Sequence, residues 1–188
     1  MKEIITHEEL VRRLVKPGEV IRSQLGADDC HLQHMVIGLS GEVFELWEWT
    51  CGDRGLENLK EEIGDCLFYA EAIRQIYSLD FDFCVEHAKI ARTNDVSASS
   101  LTLLSVECGR LLDSVKRTTI YRKQIDVLHG IAGPLGGVVF HLDLIAKSRG
   151  LTLDVCKSAN IEKLSKRYND LKYTDQAALA RADKKTEE

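Results

Sequence analysis

The chain has 188 residues, with 25 Lys plus Arg against 30 Asp plus Glu and a formal net charge of −5. That is the length of one domain with one sizeable core, and the acidic balance (pI ≈ 5.7) excludes the basic surface that non-specific nucleic-acid or anionic-membrane binding needs. An apolar share of 44% and a mean hydropathy of −0.17 exclude low-complexity disorder for most of the chain, while apolar runs such as Gly136 to Phe140 are too short to span a bilayer. The first residues carry early acids and no apolar signal core, so a cytoplasmic location is expected. Six scattered cysteines without a CxxC pair are expected to be mostly core thiols rather than a disulfide or zinc framework.

Two prolines, no sustained period-2 alternation, and an excess of Leu, Glu, Lys, Arg and Ala predict an all-α fold. Thr6 is placed to cap a helix to about Val15, which Pro17-Gly18 breaks, and a short helix is expected over Glu19–Leu25. Asp28 or Asp29 is placed to cap the next, from about Cys30 to Thr50, with Val36, Leu39, Val43 and Leu46 inward. After Cys51-Gly52-Asp53 a helix is predicted over Leu56–Tyr77, with Leu59, Ile63, Cys66, Ala70 and Ile73 inward. Asp80 or Asp82 should cap a helix to about Thr93, and a serine-rich linker, 97–100, follows. Further helices are predicted over Leu101–Thr118, over Arg122–Ser148 with a kink at Gly133-Pro134 and Gly136-Gly137, and from Thr152 or Asp154 to Tyr168. Residues 177–188 read as a frayed, charged tail.

The two halves resemble each other. Leu39-Ser40-Gly41-Glu42 aligns with Leu104-Ser105-Val106-Glu107. At a constant offset of 72, Gly64 aligns with Gly136, Phe68 with Phe140, Ile73 with Ile145, and Asp82-Phe83-Cys84 with Asp154-Val155-Cys156. This predicts a single domain, 1–188, of two helical-hairpin repeats (about 30–93 and 98–170) forming a four-helix-bundle core. The second copy keeps Glu42 as Glu107, but has Arg110 for Glu45, Pro134 for Glu62 and Gly137 for Asp65.

Those acids carry the chemical signal. Glu42 and Glu45 share a helix face at i, i+3, as do Glu62 and Asp65, and sixteen residues lie between Glu45 and Glu62, so an antiparallel hairpin could bring the pairs together. Such spacing alone is common on solvated helix faces. Here both pairs are wrapped in apolar residues and interrupted by Gly38, Gly41 and Gly64, which points to close approach of helices or of a ligand. Four carboxylates gathered there would repel unless a hard divalent cation joined them. Mg²⁺ prefers such oxygens and suits a phosphate substrate.

At these residues the chain resembles the all-α nucleoside triphosphate pyrophosphohydrolases, the MazG-like group that includes dimeric dUTPase-like members. The resemblance rests on Glu42-x-x-Glu45, the spacer, Glu62-x-x-Asp65, the flanks GLSGEVFEL and EEIGDCLFY, and the run from Ala159 to Tyr168. It implies hydrolysis of a (d)NTP to the monophosphate and diphosphate in nucleotide-pool house-cleaning, with Mg²⁺ (or Mn²⁺) on Glu42, Glu45, Glu62 and Asp65 as catalytic and metal residues. It also implies His34, Trp47, Asn160, Lys163, Arg167 and Tyr168 as substrate contacts, and a homodimer. In single-unit relatives the Asn-Lys-Arg-Tyr segment follows ExxD closely, whereas here it lies about 95 residues beyond Asp65, dividing the labour between the halves.

Plainer readings stand beside several of these residues. Lys163, Lys166 and Arg167 could be a solvated face, Asn160 a local cap, and Trp47 and Trp49 core or interface residues. Asp28, His31 and His34 have the spacing of a transition-metal site. A di-iron carboxylate bundle requires Glu-x-x-His, which does not occur. A non-catalytic helical-bundle interaction protein and a phosphoribosyl-ATP pyrophosphohydrolase remain the alternatives.

Overall fold

The computed structural model describes residues 5–52, 54–91, 99–168, 170–181 and 183. It is all-α, with no strand among the described residues. The helices are α1 (His7–Leu14), α2 (Gly18–Gln24), α3 (Ala27–Cys51), α4 (Gly55–Ile76), α5 (Phe81–Ala91), α6 (Ser100–Thr119), α7 (Gly133–Lys147), α8 (Leu153–Arg167) and α9 (Asp175–Ala180), with a π turn at Leu128–Ala132 leading into α7. Residues 97–98 of the expected linker, and 182 and 184–188 of the expected tail, lie outside the described residues.

Side-chain caps set several starts. Thr6, Ser99, Thr152 and Thr174 each accept a backbone N–H two to three residues into their helices. Asp29 works differently: it lies inside the first turn of α3 and its carboxylate accepts the Gly26 N–H at 2.9 Å. Asp80 accepts the Phe83 N–H at 2.8 Å at the head of α5.

Two expectations need correction. The helix predicted from Arg122 begins only at the π turn: Arg122 lies in the left-handed region at φ +54°, Asp126 Oδ1 accepts the Leu128 N–H at 2.9 Å, and Pro134 has no N–H for the Gly130 carbonyl. Residues 175–180, partly assigned to a frayed tail, form α9.

The core is built from α3, α4, α6 and α7, with Leu39, Leu46, Leu59, Ile63, Ile73, Leu104, Leu111, Leu135 and Leu142 almost fully buried. The inward residues predicted on α3 and α4 are all buried. Contacts between α3 and α4 run in opposite chain order, with Gly38 against Tyr69, Glu42 near Asp65, and Trp49 donating to the Gly55 carbonyl, so the pair is antiparallel. The same holds for α3 and α6, joined by Gln33–Thr119, Ser40–Cys108 and Trp47–Ser105. Residues Leu128–Lys147 have the length and hydropathy of a membrane span, but α4, α5 and α6 pack on α7 and bury most of that stretch.

The outer helices cross over. α5 packs on α7, and α8 packs on α4. Both contacts centre on a glycine facing a backbone carbonyl. A Cβ on Gly64 would lie 2.7 Å from the Cys156 oxygen, and one on Gly136 would lie 2.0 Å from the Cys84 oxygen. Gly64 and Gly136, and Cys84 and Cys156, are the residues paired by the 72-residue offset. Each half therefore lays its third helix on the second helix of the other half.

Candidate metal centre

α3 and α4 bring three acids together. One carboxylate oxygen from each of Glu42, Glu62 and Asp65 lies within 4.8 Å of the others. Glu62 is 6% exposed, and Glu42 and Asp65 are half-buried. Glu45 stands outside this trio, exposed at its rim, yet its charge acts on both Glu42 and Glu62. Asn58, one turn before Glu62, donates to its Oε1 at 2.7 Å and orients it.

α8 supplies the counter-charge. Asn160 donates to Asp65 Oδ1 at 2.6 Å, and the Lys163 ammonium pairs with Asp65 Oδ2. These contacts depend on Gly64, since a Cβ there would meet both the Cys156 carbonyl and, at 2.9 Å, the Asn160 Cβ. Gly64→Ala is expected to push α8 off α4 and loosen Asn160 and Lys163 from Asp65. By comparison with lost outer-sphere contacts elsewhere, cation affinity should fall about 10–100-fold. Isothermal titration with Mn²⁺ checks this, and unchanged affinity would separate α8 from the centre.

Burial of the carboxyls, followed by the charges of Asp65 and Glu45, pushes Glu42 up to about 7. Burial, then Glu45 and Asp65, pushes Glu62 to about 7 as well. Both values lie above the 4.5 of an ordinary glutamate, so the folded protein binds more protons than the unfolded chain between pH 4.5 and about 7. The contribution of these groups to stability is therefore present at low pH and lost as pH rises through that window. A cation needs the ionised acids, so its stabilising effect has the opposite slope. Thermal melts in chelator should show this contribution declining toward neutral pH, and the gain in Tm on adding Mg²⁺ should be larger above pH 7 than near pH 5. A gain independent of pH would count against these ligands.

The other predicted contacts are distributed around this cluster. Exposed His34 meets the edge of Tyr69, ring centroids 6.4 Å apart. Trp47 is turned toward α6, where its Nε1 donates to Ser105 Oγ at 2.8 Å, and it lines a groove of about 430 Å³ with Trp49 and Arg149. The Arg149 guanidinium lies 5.1 Å from the Trp49 ring centre. Arg167 is engaged by Asp183, and Tyr168 stacks near Tyr173 with centroids 5.8 Å apart. Asp28, His31 and His34 do not form a three-ligand cluster among the described residues.

Three participants escaped the sequence reading. Asn58 and Tyr69 flank the ExxD pair one turn to either side, which is the signal that could have found them. Tyr69 fits only because residue 38 is glycine: a Cβ there would lie 2.3 Å from the Tyr69 ring. Asp183 had no local signal. In the second half, Glu107 is 2% exposed and pairs with Arg110 at 3.1 Å, so a guanidinium stands beside the surviving acid. The chain matches no family model, no curated protein and no solved structure.

Proposed function

We propose that this protein is a Mg²⁺-dependent nucleoside triphosphate pyrophosphohydrolase whose core is a four-helix bundle of the MazG-like kind. The observation that carries the reading is the convergence of Glu42, Glu62 and Asp65 from two antiparallel helices, beside an amide and an ammonium from a third. The donor set fits a hard divalent cation: all oxygen, one acid buried and two half-buried, with Glu42 and Glu62 pushed up to about 7 without one. Mg²⁺ would supply charge neutralisation for the phosphate chain and activation of water; Mn²⁺ could replace it.

The chain's own residues do the rest. Asn58 and Asn160 hold Glu62 and Asp65 in orientation. Lys163 and Arg167, one turn apart on α8, are the phosphate-facing cations, and positioning with electrostatic stabilisation is most of what phosphoryl transfer requires. Glu45, at the rim, is available to orient or deprotonate the attacking water. His34 and Tyr168 are the rings offered to a base or sugar, and Trp47 would join them only on leaving Ser105. A homodimer belongs to the same reading, supported by Ile37 and Phe44, exposed to 60% and 61% one heptad apart on α3.

The test is incubation with Mg²⁺ and a panel of NTPs and dNTPs, with product identification. Monophosphate plus diphosphate is the expected outcome. Nucleoside diphosphate plus orthophosphate would place the cleavage elsewhere and refute the mechanism, and no turnover would favour the non-catalytic interaction bundle.

A further inference from the structure

Asn160, Lys163 and Arg167 form one stripe along α8, but they do not share one partner. Asn160 and Lys163 engage Asp65 of the metal centre. Arg167 is taken by Asp183, with Nε donating to Oδ1 at 2.6 Å and an Nη donating to Oδ2 at 2.7 Å. The side chains are 15% and 3% exposed. This two-pronged geometry is how a guanidinium binds a carboxylate, and equally how it binds two oxygens of a phosphate. The pair lies one helical turn from the centre: Lys163, which engages Asp65, stands four residues before Arg167 on α8.

The segment that delivers Asp183 is otherwise lightly held. α9 has only six residues and buries none of them. Leu171, Tyr173 and Leu179 are 77%, 69% and 84% exposed. Beside the Tyr168–Tyr173 ring contact, a doubly hydrogen-bonded, nearly dry ion pair ties that segment to α8. Arg167 and Lys163 hold the Asp183 carboxyl below the usual carboxylate range, so it is an anion at neutral pH.

We propose that Asp183 is an internal competitor for a phosphate chain: its carboxylate occupies the oxyanion-binding fork of Arg167 until a phosphate of the ligand displaces it and releases the segment bearing α9. The inference rests on the phosphoanhydride reading in naming the ligand.

The probe is inorganic tripolyphosphate in Mg²⁺ buffer, titrated calorimetrically into the full chain. Asp183→Asn is expected to bind it about tenfold more tightly than the wild type. Asp183→Asn combined with Arg167→Gln should bind no more tightly than the wild type. In the wild type, tripolyphosphate should speed amide exchange across 175–180, a measurement that also decides the matter if the variant fails to fold. Equal or weaker binding by Asp183→Asn, or exchange in α9 unmoved by tripolyphosphate, would overturn the proposal. Tighter tripolyphosphate binding without turnover of any nucleotide would keep the competitor and refute the pyrophosphohydrolase. Turnover with no effect of Asp183→Asn would do the reverse.

Discussion

Replacing Glu62 by glutamine is expected to make the metal-free protein more stable at neutral pH while removing the Mg²⁺ response and the turnover proposed for it. Glu62 is buried at 6% exposure among Glu42, Asp65 and the charge of Glu45. Without a cation, ionising it costs desolvation and repulsion together. Glutamine keeps the shape and the oxygen that accepts from Asn58, so the change removes the charge and little else. The metal-free Tm above pH 7 should rise by roughly 2–4 °C, the shift that ~1 kcal/mol produces in a chain of this size. Near pH 5, where Glu62 is already protonated, wild type and variant should melt together. Turnover should fall about 10²–10³-fold, the usual loss when a preorganised electrostatic group is removed. A variant that still gained wild-type stabilisation from Mg²⁺ would place the cation elsewhere. The combination of higher stability and lost activity distinguishes a working site from a structural cluster, which should only lose stability.

The largest structural effect is expected from Gly136→Ala. The new Cβ would lie 2.0 Å from the Cys84 oxygen, 2.3 Å from its carbonyl carbon and 2.9 Å from the Val85 nitrogen. These are backbone atoms, so no rotamer change relieves the overlap, and α5 must move as a body away from α7. Overpacking of this kind costs about 1–3 kcal/mol, and the absence of a soft neighbour puts this site at ~3 kcal/mol or more. Thermal melts should show a drop of roughly 6–12 °C. Gly109→Ala is the matched control on α6, since a Cβ there meets nothing within 4 Å and gains helix propensity. If Gly136→Ala and Gly109→Ala melted alike, the close approach of α5 to α7 would be wrong.

Much of the fold was legible because its signals are local. The α3 stripe of Val36, Leu39, Val43 and Leu46 and the α4 stripe of Leu59, Ile63, Cys66, Ala70 and Ile73 follow helical periodicity, and both are buried. The entry to α7 was misread because Arg122 to Asp126 have helix-compatible composition, whereas the chain turns into the core only where Asp126 accepts the Leu128 N–H. Within the site, Glu42, Glu62 and Asp65 were found through i, i+3 spacing in an apolar setting. Glu45 shares that spacing, but one further turn carries it to the solvent edge. The contacts of Asp65 with Asn160 and Lys163 span 95 and 98 positions, so no local pattern could reveal them. The capture of Arg167 by Asp183 needs the turn after α8, whose residues have no strong helical or strand signal.

The crossing of α5 onto α7 and of α8 onto α4 has a consequence for how the molecule comes apart. Neither half can shed its third helix without uncovering the other half's second one, so local opening at either end propagates across both. Helices α3 to α8 should behave as one cooperative foldon, reached slowly because their decisive contacts close long loops and raise the contact order. For the acids on α3 and α4, that linkage makes the candidate cation site depend on a distant contact: Lys163 on α8 pairs with Asp65, so a nascent chain completes this cluster only after α8 has been synthesised and docked.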